Sequence, residues 1–197
     1  MSIKRCKWLR FTEESNALDY LEKAYFFIKQ TEKEKIAWKW VTITLFGALY
    51  GFAICACRGT DSSSVIENTK KRDKLISFNE ALKRCKDPNW MKMTIMSKHL
   101  ELSEKQEESI RKMKDALRNR FEHYTPMGWS IEIHGLPKIA LDVLDVIRFL
   151  ALDTGNYVHL NSNQVRKLKS YIFQSKKILK QSKLYKETIN KTTKIKN

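Results

Sequence analysis

Proline and glycine are scarce in this 197-residue chain, three and six residues respectively. A fold built from many strands and tight turns needs more of both. The four cysteines, Cys6, Cys55, Cys57 and Cys85, make no Cys-x-x-Cys pair, and the histidines make no His-Glu-x-x-His. The usual zinc spacings are therefore missing, and neither a metal nor another cofactor is expected. Reduced, buried thiols in a cytoplasmic protein are the expectation. No apolar stretch follows the basic N-terminal residues closely enough to read as a signal peptide. Acid is the minority charge, with 22 Asp or Glu against 38 Lys or Arg and a formal net charge of +16.

Apolar residues make up 42% of the chain and include five tryptophans, which argues for a packed body. The length suits a single core. The expected fold is all-α: a bundle of about five to six helices over residues 12–184, a short extended piece after the motif helix described below, and a basic flexible tail over 185–197. From Gln164 onward there are eleven Lys or Arg and one acid, Glu187. That surplus suits a polyanion such as RNA, DNA or an anionic membrane. Plain solvation is the alternative, since lysine outnumbers arginine 28 to 10 throughout the chain.

Helical punctuation is clear in several places. Thr12 reads as an N-cap before Glu13 and Glu14, and apolar residues from Ala17 to Ile28 recur at helical spacing to about Gln30. A second helix runs from about Glu34 to Arg58 and closes on Gly59. Within it, Val41 to Cys57 carries no charge. This helix is expected at the centre of the bundle, with Gly47 and Gly51 admitting a close neighbour; a membrane anchor is the alternative. Asn68–Lys74 is open between loop and helix. Ser77 caps a short helix that Asp87-Pro88 ends, and Asn89–Leu102 reads as a packed connector. A later helix starts near Pro137, carries Asp142 and Asp145 on a solvated face, and stops at Gly155. The last helix spans Asn161 to about Lys183, with Val165, Leu168, Ile172, Phe173 and Leu179 inward, and the chain frays beyond Tyr185.

The densest chemistry lies at the end of another amphipathic helix, opened by a Ser103/Gln106 capping box and striped by Ile110, Met113, Leu117, Phe121 and Tyr124. There the sequence reads Arg118-Asn119-Arg120-Phe121-Glu122-His123. An arginine can hold phosphate and a histidine can move a proton. On a regular helix Arg118 and His123 are about 140° apart, whereas Asn119 faces His123 and Arg118 meets Glu122. The Arg118–Glu122 pair by itself is an ordinary surface ion pair. Convergence of Arg118 and His123 needs a loosened helix end or two copies of the helix crossing at a two-fold axis.

This Arg-Asn-x-x-x-His spacing resembles the signature of the HEPN superfamily. The stretch from Leu117 through Gly128-Trp129-Ser130-Ile131-Glu132 and Gly135-Leu136-Pro137 is similar to an uncharacterised bacterial branch of it, as are Ala48-Leu49-Tyr50-Gly51-Phe52 and Asp87-Pro88. The resemblance implies a HEPN-type bundle, a homodimer through the motif helix, and a metal-independent endoribonuclease, a toxin or defence effector with an antitoxin or neighbouring defence protein as partner. Arg118, Asn119 and His123 would be catalytic: Arg118 on the phosphate, Asn119 orienting His123, and His123 moving the proton. Arg120, Trp129, Lys176, Lys177 and Lys180 are the candidate RNA contacts. A non-catalytic RNA- or protein-binding module is the alternative.

Overall fold

The computed structural model describes residues 7–68, 73–123, 126, 128–156 and 158–194. They form a mostly helical body around one continuous apolar core, which runs from Ala17 to Leu179. Cys6 and Tyr124 lie outside the described residues.

Helix α1 (Glu13–Ile28) starts where Thr12 and Ser15 cap each other's backbone N–H groups. Helix α2 (Ala37–Arg58) is the central rod, with most of its length buried. By length and composition α2 could cross a bilayer, but 72% of its apolar stretch is buried inside the bundle. It ends at Gly59, whose φ of +64° is the left-handed region that favours glycine. The two α2 glycines let α1 close in, as the sequence suggested. A Cβ at Gly51 would sit 2.7 Å from Ala17 Cβ, and one at Gly47 would strike the Tyr20 ring. Arg58 reaches back to α1, 2.8 Å from Glu14 and 3.2 Å from Glu13. Glu14 is buried, so this first-turn acid is more than a partner for the helix dipole.

The segment left open between loop and helix is partly a hairpin. Strands β1 (Ile66–Asn68) and β2 (Asp73–Leu75) pair antiparallel with Ile66 opposite Leu75. Ser77 then caps α3 (Phe78–Lys86), and Asp87 caps the short α4 (Pro88–Met91). The connector that follows is anchored by Met91 and Leu100 in the core and by Trp90 donating to the Cys57 carbonyl at 2.9 Å.

The Ser103/Gln106 capping box opens α5 (Glu104–Arg111). The expected single α-helix then loosens into a π-helical segment, Lys112–Arg118, where the Asn119 N–H donates to the Lys114 carbonyl five residues back. Helix α6 (Asn119–Glu122) is its last turn, and His123 leaves it with extended backbone. Residues 128–133 form no strand, and the chain enters α7 (Leu136–Arg148), which passes into a second π segment, Phe149–Asp153, before Gly155 turns it at φ +70°. Asn161 and Gln164 form the capping box of α8 (Ser162–Gln181).

Two expectations for the C-terminal region differ from the structure. Phe173 points outward and is 65% exposed, while Ser175 takes a fully buried place. Past Ser182 the chain continues as α9 (Lys183–Lys194) instead of fraying, and Thr188 donates to the His134 carbonyl at 2.9 Å.

Candidate functional site

The motif arginine is set by the helix that carries it and by α2 behind it. The Arg118 guanidinium lies 5.2 Å from the Phe46 ring centroid, a cation–π distance. Its Nη2 is 2.5 Å from Glu122 Oε2, and its Nη1 donates to Asn119 Oδ1 at 3.1 Å. The buried Nε has no acceptor among the described residues. The Arg118–Glu122 pair is the one the four-residue spacing suggests. The Asn119 carboxamide oxygen braces Arg118, and the Asn119 backbone carbonyl accepts from the His123 N–H at 2.9 Å.

Arg118 and Glu122 line a cavity of about 290 Å³ with Glu13, Asn16 and Tyr20 of α1 and an apolar wall of α2. The wall includes Phe46 and the two glycines against which α1 closes in. His123 stands just beyond the helix end, exposed to solvent. The 140° separation of an ideal helix no longer describes this pair, since His123 has left the helix. Arg118 offers charge and several N–H donors to an anion. Glu122 competes for that charge, and a phosphate would have to displace it.

Arg120, on the same turn, places its guanidinium 5.8 Å from the Trp129 ring, and Trp129 packs on Phe121 at 5.1 Å. Trp129 is therefore a packed aromatic with one partly exposed face. These contacts join the end of the motif helix to the segment entering α7.

The candidate lysines of α8 do not share one fate. Lys176 is tied to Asp145 of α7. Lys177 and Lys180 have no carboxylate partner among the described residues, and all three line an open groove of about 470 Å³ between the end of α7 and α8. The same groove takes in Arg148 and Lys169, which sequence reasoning did not name as RNA contacts, and Phe173, which it placed inward. Their signal was present: Lys169, Phe173 and Lys177 recur every four residues, the spacing of one helix face. Asp142 and Asp145 are not merely solvated, because Ser109 donates to Asp142 at 2.6 Å while Asp145 holds Lys176.

Other titratable groups sit in structural roles. Burial pushes the Cys55 thiol up to about 12. A hydrogen bond between Cys57 and Cys85 lowers the first thiol and raises the second well above the usual range. All three are buried, consistent with unreactive core thiols. His134 lies between Glu132 at 3.8 Å and Glu187 at 3.6 Å. Among the described residues no three His, Cys, Asp or Glu side chains gather as a metal site. Compared with family models, with curated proteins and with solved structures, the chain gives no match.

Proposed function

We propose that this protein is a HEPN-like, metal-independent endoribonuclease of the cytoplasm, acting as a toxin or defence effector. The observation that carries the reading is Arg118. It is a partly exposed guanidinium, braced by Asn119 and Phe46 at the edge of a cavity, one turn ahead of an exposed histidine. Arg118 would hold the scissile phosphate and stabilise the charge that develops on it. The ribose 2′-oxygen attacks phosphorus, the bond to the 5′-oxygen breaks, and a 2′,3′-cyclic phosphate and a 5′-hydroxyl result. His123 would take the 2′-hydroxyl proton or deliver one to the leaving oxygen. A homodimer through the motif helix would bring two Arg118–His123 sets to one cleft, and an antitoxin or neighbouring defence protein would restrain them.

The test compares RNA with DNA of the same sequence, each with and without chelator. RNA should be cut in both conditions and DNA in neither, because the nucleophile is the 2′-hydroxyl. Wild-type activity in purified Arg118→Ala or His123→Ala protein overturns the assignment. One observation favours a second reading, a non-catalytic RNA-binding module: Glu122 and Asn119 already occupy the Arg118 fork. That reading requires RNA binding without any product.

A further inference from the structure

The groove between α7 and α8 combines two features that a solvated helix face does not need. The first is uncompensated charge. Lys176 has Asp145, and Arg148 shares Asp153 at 3.5 Å, but among the described residues no carboxylate pairs with Lys169, Lys177 or Lys180. These three lie within twelve residues, a rise of about 16 Å along the helix. Like charges held that close repel one another, and a polyanion relieves the repulsion.

The second feature is Phe173, set among those cations with its ring in water, while Ser175 of the same helix is fully buried. Leu152 and Ile172 give the groove an apolar floor beside the ring. An acidic peptide would answer the charge but not the flat apolar face. A duplex would answer the charge but keep its bases stacked inside. A single strand of nucleic acid offers both repeated phosphates and unstacked bases.

We propose that the α7–α8 groove is a binding site for single-stranded RNA, separate from the Arg118–His123 motif. In it Phe173 stacks a base, and Arg148, Lys169, Lys177 and Lys180 hold the flanking phosphates. The inference rests on the reading of RNA as substrate and deepens it by naming the form of RNA that is gripped.

The experiment uses full-length His123→Ala protein, so that bound RNA stays whole, with a fluorescent 12-nucleotide single strand and its blunt duplex. Anisotropy titrations at several salt concentrations should show the single strand bound more tightly. Four cations releasing counterions predict a log–log salt slope of about −2.8, and K177Q/K180Q should bring it to about −1.4. Phe173→Ala should weaken binding roughly ten-fold with the slope unchanged, and Phe173→Tyr should restore it. Equal or tighter binding of the duplex overturns the proposal, as does Phe173→Ala protein, folded by circular dichroism, that binds like its parent. Capture by anionic phospholipid vesicles without RNA binding overturns it as well. If these variants bind normally while wild type cuts RNA, the groove fails and the nuclease stands. If they behave as expected while wild type leaves RNA whole, the nuclease fails and the groove stands.

Discussion

Arg118→Ala should remove activity while leaving the fold nearly intact, and the contacts of the residue say why. The ion pair with Glu122 is about a third exposed on each side, so screening reduces it to a few tenths of a kcal/mol. The Phe46 contact adds about 0.5–1 kcal/mol, and the Asn119 hydrogen bond about as much again. Against these, truncation removes the buried Nε donor that lacks an acceptor, recovering about 1–3 kcal/mol. The net change should stay within about 1 kcal/mol, a melting shift of about 2–4 °C in a chain of this size. Loss of a charge-stabilising donor from the transition state is larger, on the order of 10²–10³ in rate. Thermal melts beside cleavage of a fluorescent RNA, on one preparation of wild type and variant, read both quantities. Arg118→Lys should fall between, keeping the charge without the planar fork. Destabilisation well above about 3 kcal/mol with unchanged activity per folded molecule would make Arg118 a structural residue and refute the reasoning.

Two further outcomes follow from the packing. Gly51→Ala gains about 1 kcal/mol of helix propensity but pushes a methyl into Ala17 of α1, an overpacking cost of about 1–3 kcal/mol, so it should be neutral to destabilising in urea unfolding. Gly47→Ala meets only the partly exposed Tyr20 ring, which can swing aside, and should be the milder change; the reverse order would contradict the described α1–α2 interface. Burial, with help from the Glu22 carboxylate accepting its hydroxyl at 2.6 Å, pushes the Tyr171 phenol up to about 12. The folded state therefore retains this proton longer than the unfolded chain does. The resulting stability is full below about pH 10 and lost as pH rises toward 12. Denaturant melts across that window should fall more steeply for wild type than for Tyr171→Phe.

What the sequence made legible follows from how local each determinant is. Thr12, Ser77, Ser103 and Asn161 announce helix starts because the hydrogen bond that caps each helix closes within three residues. Gly59 is equally local, a left-handed residue after an apolar run. The paired strands at Ile66 and Leu75 are only three residues each, too short for an alternating pattern to stand out. The outward turn of Phe173 depends on which α8 face meets α1 and α7, and helical spacing alone does not say where an apolar stripe ends. At the motif, spacing correctly paired Arg118 with Glu122. The Phe46 platform was out of reach, since it lies seventy-two positions earlier in the chain.

The two π segments make the same point about position. Each i→i+5 bond puts one more residue into a turn than the α pattern allows, so side chains beyond it are rotated relative to a regular helix. The first segment ends on Arg118, so the direction of that guanidinium depends on what holds the looser turn. Ser109, just ahead of the segment, is tied to Asp142, and Arg118, its last residue, rests on Phe46 and Glu122. One helical turn after Asp142, Asp145 secures Lys176 of α8. Helix α7 thus acts as a splint, with one carboxylate on the helix that carries the motif and the next on the helix that carries the basic groove. The acids that dilute the positive charge here do so at chosen points. They take Lys176 out of the groove's electrostatics and leave Lys169, Lys177 and Lys180 to face solvent on the same rigid frame as Arg118.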